Sequence, residues 1–530
     1  MYKNIIFLTA ALMPLWTFGQ SLDEGKQYLI SNFDETSHFI HDTGILTFGS
    51  PSADALWRFI PTTNEECYYI QNVATGKYIQ TSTTRDIAVK TGDKPVEYHV
   101  KKDSSGGSTS GYWGLASTDQ SNSDFSSSST MGLNDNIGGY VAGYPAQQGV
   151  NPRSFWIIEE AGEDLPEEDI SDESKVYRNP VIRVGVPDPT VIRADDGFYY
   201  LYATENPTHN VPIYRSGNLV DWTLIGTVFT DESRPTFVES LPGAVARVWA
   251  PDINYVDGKY YLYYSMSRWG SEWECGIGVA TADNPEGPFI NHGKMFISSD
   301  YGTQNSIDPF FIEEDGSKYL FWGSFRGIWG AELSDDGLSV KPETIQKVAG
   351  TLTEGTYIIK HDGYYYMIGS VGSCCDGQNS TYHLMMARSE NLFGPYVDKN
   401  GAPALENHFS HLLYRNDDVI GPGHNAKFVQ DDADQWWIIY HGFQANNEGA
   451  GRVGYLDRIY WTESGWPSIR GMQPSKIART PIIDGNLEDG FVAPNIDPVS
   501  IISPSYNLQG QKVSDSYTGI IVREGKKIMP

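Results

Sequence analysis

The 530-residue chain is poor in cysteine, in basic residues and in long apolar runs, and each shortage excludes something. Four cysteines (Cys67, Cys275, Cys374 and Cys375) are too few for a disulfide-built scaffold, so a hydrophobic core must hold the fold. Spacing leaves the adjacent Cys374 and Cys375 as either a vicinal disulfide or two buried thiols. Only 38 Lys and Arg stand against 67 Asp and Glu, for a net charge of −29. An acidic surface argues against nucleic acid or an anionic membrane as partner and suits something neutral; acidity for solubility alone explains it equally well. The one extended apolar run, Ile5 to Phe18, is short for a transmembrane helix. With Lys3 before it and Thr17 and Gly19 at its end, it predicts a secretory signal over 1–20, an exported protein and no membrane insertion. No Cys follows it, which argues against a lipid anchor.

Glycine (54 residues), tyrosine (33) and aromatics generally (13%) are plentiful, as in an all-β protein with many turns. One phrase recurs five times. A short apolar run leads into an Asp-Gly-type turn and then an aromatic, β-branched run, as in Pro251-Asp252-Ile253-Asn254 before Asp257-Gly258-Lys259-Tyr260-Tyr261-Leu262-Tyr263. Each unit reads as a β-hairpin. The units start at 189, 251, 309, 356 and 425, the last being the loosest. Repeats of this size with one hairpin each predict a five-bladed β-propeller over 178–485, with one strand of every blade lining a central channel. Asp188, Ala250, Asp308, Glu354-Gly355 and His424 immediately precede the five units. If the first strand is the innermost, four ionisable side chains converge on one mouth of the channel.

Before the propeller, 21–160 carries short strands such as Trp57-Arg58-Phe59-Ile60 and Phe155-Trp156-Ile157-Ile158 between Ser/Gly-rich loops. These phrases resemble the strand pattern of ricin-type β-trefoil modules, without their Gln-x-Trp triplets. The expectation is a smaller β domain, serving either as a carbohydrate-binding module or as a brace. Nine Asp or Glu between 159 and 173 predict a solvated acidic linker over 161–177, with few contacts crossing it. The tail, 486–530, contains Tyr506 to Val513 and Gly519 to Val522. It resembles C-terminal tails on exported enzymes of Gram-negative gut and oral bacteria, and serves either sorting or as a packed strand pair.

Glycosidic cleavage needs one protonated and one ionised carboxyl group on opposite sides of the bond, which facing blades can supply. Val186-Pro187-Asp188-Pro189, Trp249-Ala250-Pro251-Asp252, Ser306-Ile307-Asp308-Pro309, Glu354-Gly355-Thr356-Tyr357 and Gly421-Pro422-Gly423-His424-Asn425 resemble, in order, the motifs of glycoside hydrolase family 43. Gly372-Ser373-Cys374-Cys375-Asp376-Gly377-Gln378-Asn379-Ser380-Thr381-Tyr382 and Gly394-Pro395-Tyr396-Val397-Asp398 resemble its arabinan-degrading members. The resemblance implies an inverting hydrolase of α-L-arabinofuranosyl linkages acting on arabinan or a related polysaccharide or oligosaccharide, of the endo-1,5-α-L-arabinanase type. A β-xylosidase, a galactan-active enzyme and an inactive glycan-binding propeller are the alternatives. It makes Asp188 the general base, Glu354 the general acid and Asp308 the carboxylate that holds and tunes the acid. It makes His424 a ligand of a hydrated metal ion, Ca2+, in the channel. Trp249 is expected as a sugar-stacking wall. Either Arg452 or Arg458 is expected to steady the carboxylates.

Overall fold

A computed structural model describes residues 22–32, 38–105, 107–161, 165–166 and 168–484, and four short strands between 505 and 528. The secretory signal expected over 1–20 lies outside the described residues. Among the described residues no helix is long and apolar enough to cross a membrane.

The five repeats fold as five antiparallel sheets arranged as a five-bladed propeller. Blade I comprises Thr190–Arg193, Tyr199–Tyr202, Asn210–Ser216 and Thr223–Phe229, hydrogen-bonded in that order. Blades II, III and IV repeat the plan from Arg247–Val256, Phe310–Glu314 and Glu354–His361 outward. The turns form where the sequence places Asp-Gly: Asp257/Gly258, Asp315/Gly316 and Asp362/Gly363 all have positive φ at both residues, as a tight hairpin turn requires. Blade V departs from the plan. Its inner position is split into Val419–Gly423 and Val429–Gln430, both paired with Trp436–Gln444. His424 sits in the break, which is why this repeat is the loosest in sequence.

The hydrophobic cores lie between successive blades. Tyr199 and Leu201 pack with Trp437, Ile439 and Leu456 of blade V, whereas Tyr200 and Tyr202 pack with Leu262 and Tyr264 of blade II. Alternate side chains of one strand thus enter different cores, and both faces are apolar. This explains the unbroken aromatic runs of the sequence. The ring closes on blade V, where Ile182 exchanges backbone hydrogen bonds with Gly454 (3.1 and 2.9 Å) and Val186 N–H donates to the Arg452 carbonyl (2.8 Å). Val176–Arg178 pairs with Ile477–Arg479 nearby.

Among the described residues the N-terminal domain contains twelve strands. Tyr28–Asn32, Leu56–Pro61, Cys67–Asn72, Glu97–Lys102, Trp113–Ser117 and Phe155–Glu160 pair successively and close into a ring. The other six form three hairpins. A six-strand barrel capped by three hairpins is the β-trefoil plan. Its core centres on Trp57, Trp156, Tyr98 and Leu115.

Contacts between this domain and blade IV are extensive, contrary to the expectation of few. Tyr112, Phe125, Phe155 and Ile157 share one core with Met385, Leu412 and Phe409. Glu159 accepts hydrogen bonds from the His411 backbone N–H (3.1 and 3.2 Å) and lies 2.6 Å from its Nδ1. Tyr112 stacks on His408 at 4.2 Å. The described part of the acidic stretch is bound to blade V instead of lying free in solvent. Glu168 meets the Tyr460 hydroxyl and the Arg479 N–H, and Arg470 donates to the Pro166 carbonyl. Arg458, 3.6 Å from Glu168, offsets part of its charge. After Gly485, Lys512–Val513, Ser505–Asn507, Ile521–Arg523 and Lys526–Ile528 form a separate four-stranded sheet.

Candidate active site

Five residues enter the innermost strands with left-handed backbone: Asp188 (φ 55°), Ala250 (40°), Asp308 (57°), Gly355 (56°) and His424 (44°). Side chains bring a cost in this region, modest for Asp and His. The position in blade IV belongs to Gly355, so Glu354 comes from the preceding position, the one Trp249 occupies in blade II. Asp188, Asp308, Glu354, Trp249 and His424 all line one cleft of about 570 Å³.

Each entry residue is fixed by the blade before it. Ala250 N–H donates to Thr204 Oγ1 (2.9 Å), Asp308 N–H to Ser265 Oγ (2.8 Å), His424 N–H to Ser370 Oγ (2.8 Å) and Asp188 N–H to His441 Nδ1 (3.0 Å). In blade III the corresponding residue is displaced one place along by Gly323. This residue, Ser324, donates to Glu354 Oε2 (2.6 Å), while Gly355 N–H donates to Asp308 Oδ2 (3.2 Å). The acid and its supporting hydroxyl are therefore displaced together.

The three carboxyl groups are set differently. Asp188 is buried, and burial opposes its charge. That is overcome first by Arg452 (Nη1 to Oδ1, 2.8 Å) and then by the Thr204 hydroxyl (to Oδ2, 2.6 Å), which hold the carboxyl well below the usual range. Of the two arginines in question, Arg452 is the one at the carboxylates; Arg458 faces Glu168 at 3.6 Å. Asp308 is raised well above the ordinary range, first by burial and then by the charges of Glu354 and Asp188. Glu354 is raised as well, by burial and then by Asp188, against hydrogen bonds from Ser324 and from the Tyr382 hydroxyl (2.7 Å to Oε1). Two side-chain donors favour charge on Glu354, whereas Asp308 receives only a backbone N–H. Asp308 is accordingly raised further than Glu354.

Trp249 and the exposed Trp269, their rings 6.2 Å apart, form one wall. Glu272, bound to Arg326 (2.9 and 2.7 Å), ties the loop carrying Trp269 to blade III. Cys374 and Cys375, which the structure joins as a vicinal disulfide, also line the cleft. Cys67 and Cys275 are free and buried.

Beneath the cleft the channel narrows to a cavity of about 30 Å³, lined by His424, Thr356 and Asn425 among others. Thr356 Oγ1 and Asn425 Oδ1 are buried there without partners. Among the described residues no three His, Cys, Asp or Glu are placed to hold a metal ion. One imidazole and two neutral oxygens fit an oxygen-preferring cation such as calcium only if water completes its shell.

Sequence reasoning missed Thr204, Ser324, Tyr382, His441 and Trp269. Thr204, Ser265, Ser370 and His441 each lie three residues after an apolar strand position (Leu201, Leu262, Met367 and Ile438). Aligning the second strand of each hairpin as well as the first would have found them. Tyr382 ends the vicinal-Cys motif but lies outside the repeated phrase, so its role was not read from it; Trp269 lies outside both and gave no signal.

Residues 177–467 match the sequence profile of glycosyl hydrolases family 43. The chain is 32% identical over 290 residues to extracellular endo-alpha-(1->5)-L-arabinanase 1 of Bacillus subtilis (strain 168), covering 53% of this chain and 86% of that one. It is 30% identical over 312 residues to the extracellular exo-alpha-(1->5)-L-arabinofuranosidase ArbA of Cellvibrio japonicus (strain Ueda107), covering 54% and 87%. Among solved structures, an exo-1,5-alpha-L-arabinanase from a bovine ruminal metagenomic library is similar at 32% identity and a TM-score of 0.48, covering 54% of this chain and 96% of that one. With a profile spanning more than half its length, the chain belongs to glycosyl hydrolases family 43 and is a glycoside hydrolase.

Proposed function

We propose that the protein is a secreted, inverting endo-1,5-α-L-arabinanase that cleaves α-L-arabinofuranosyl linkages in arabinan. The observation that carries the reading is the opposite setting of carboxyl groups lining one cleft: Asp188 held ionised, Asp308 and Glu354 raised. One ionised and one protonated group is the requirement of acid–base glycoside hydrolysis. The names of the relatives support arabinan as substrate, and the apolar run at 5–18 supports secretion.

In this mechanism Glu354 protonates the leaving oxygen and Asp188 accepts a proton from the attacking water. Asp188 is a weak base, but water attacking an oxocarbenium-like centre is acidic enough to release its proton late. Asp308 disfavours ionisation of the acid by like-charge repulsion. Trp249 and Trp269 pack against sugar C–H faces. Inversion requires Asp188 and Glu354 about 6.5–9.5 Å apart, leaving room for that water. His424, with Thr356 and Asn425, would hold a hydrated calcium ion, which when bound supplies positive charge beneath the carboxylates.

Glu354→Gln and Asp188→Asn are expected to fold normally and to lose activity by about 10²–10⁴-fold, since each removes a proton-transfer group without changing shape. NMR of the first product anomer tests inversion. Product analysis on debranched arabinan, sugar-beet arabinan, arabinoxylan and aryl glycosides tests the substrate; release of arabinose alone would replace endo with exo action. Near-native turnover by Glu354→Gln would sink the assignment.

A further inference from the structure

Three blades cap the next entry residue with a Thr or Ser hydroxyl; the fifth uses His441. A serine could make the same bond at less cost. Nδ1 accepts the Asp188 N–H, so the neutral ring carries its proton on Nε2, and that atom is buried without a partner. An unpaired buried donor is costly. The ring must therefore do something a hydroxyl cannot.

Two contacts say what. Nδ1 also lies 3.5 Å from Asp188 Oδ1, so the ring borders the carboxylate as well as its main chain. The opposite contact is a parallel stack on Tyr382, with centroids 5.7 Å apart and 9° between planes. Tyr382 is the phenol that donates to Glu354 Oε1. One rigid ring thus touches the base and the group that orients the acid. A hydroxyl spans only the first contact, and it can also rotate to donate, whereas unprotonated Nδ1 can only accept.

We propose that His441 is a positioning residue that couples Asp188 to Glu354: its Nδ1 fixes the left-handed backbone of Asp188, and its ring face fixes Tyr382 and through it the carboxyl of Glu354. This rests on the roles given above to Asp188 and Glu354. His441 makes no contact with substrate in this scheme, so its loss acts on kcat and leaves KM nearly unchanged.

The test compares His441→Phe (stack kept, acceptor lost), His441→Asn (an acceptor kept, stack lost) and His441→Ser (the hydroxyl of the other blades), with Asp188→Asn alongside. All are assayed on debranched arabinan and an aryl arabinofuranoside, with thermal melts. His441→Phe is expected to lose about 10- to 100-fold in kcat, the scale of a misplacement of about 1 Å, with KM within about threefold. His441→Asn and His441→Ser should each recover part of the loss and neither all of it, since each restores only the acceptor. Full kcat in His441→Phe or in His441→Ser overturns the proposal while Asp188→Asn remains inactive. So does a series in which melting temperature falls and kcat does not. If His441→Phe does not fold, the kcat of the small His441→Ser decides. An active Asp188→Asn would instead remove the base assignment, and this inference with it.

Discussion

Replacing Arg452 with Met removes the cation nearest to Asp188 and keeps the bulk of the stem. The pair is 2.8 Å apart between nitrogen and oxygen, and both side chains are mostly buried. At charge centres about 4 Å apart and an effective dielectric of 20, their attraction is about 4 kcal/mol. That corresponds to about a thousandfold in the ionisation constant of Asp188. The carboxyl would rise toward and past the ordinary carboxylate range, because burial then acts with less opposition. Activity needs Asp188 ionised, so the acid limb of the kcat/KM profile should move to higher pH. Arg452→Lys, which keeps the charge but not the guanidinium fork, should move it less. Stability follows the same linkage. A carboxyl with a depressed folded pKa stabilises the protein above its unfolded pKa, near 4, and loses that contribution as pH falls through the folded value. Arg452→Met should therefore be destabilised by about 3–5 kcal/mol at pH 7, with the gap narrowing below about pH 4. Urea melts across pH and steady-state profiles read both effects. An unmoved acid limb together with wild-type stability at pH 7 would show that Arg452 does not hold Asp188 charged.

Asp308→Asn removes a carboxyl whose charge repels that of Glu354. The remaining acid should ionise more easily, so the alkaline limb of the pH profile should move downward along with a loss of kcat; an unchanged limb would separate the two groups. Exhaustive chelation should lower the melting temperature, because an ion that binds only the folded state stabilises it. His424→Ala should lower activity without preventing folding, and full activity after chelation would leave His424 as a hydrogen-bonding residue. A chain beginning at 175 loses Glu159 and so leaves His411 of blade IV without its carboxylate, in addition to exposing the shared core. Its melting temperature should fall by about 10 °C or more; a melt within 2 °C of the full chain would show that the N-terminal domain does not brace the propeller.

Most of the propeller was legible because one hairpin recurs five times, and its Asp-Gly turns fix both register and spacing. The site was legible for the same reason: a side chain at the start of an innermost strand must face the channel mouth. What escaped lies off that phrase. Tyr382 and Trp269 sit in connecting loops whose course is set by packing between blades, not by local pattern. The choice of Arg452 over Arg458 depended on blade V pairing with residues 182–186, which turns Arg452 toward Asp188. The contacts across the acidic stretch escaped because charge alone reads as solvation. The structure supplies Arg458, Arg470 and Arg479 on the facing blade, far away in sequence.

Ala250 separates what belongs to the fold from what belongs to the chemistry. It adopts the same left-handed conformation as Asp188, Asp308 and His424 and receives a hydroxyl cap from the blade before it, as Asp308 and His424 do. Yet it carries no group that could act on a substrate. Backbone strain at these positions cannot therefore be explained by catalysis alone, since it persists where catalysis gives no reason for it. The strain comes with the way an innermost strand enters the channel, and the hydroxyl or imidazole caps offset part of it. The left-handed turn then determines where a side chain at that position points. Three blades use it for an ionisable group. A fourth gives it to glycine, which frees the neighbouring Glu354 to reach the cleft from one residue earlier. The active site is thus a set of side chains placed on five equivalent turns, and blade II shows that the turn forms without a working side chain.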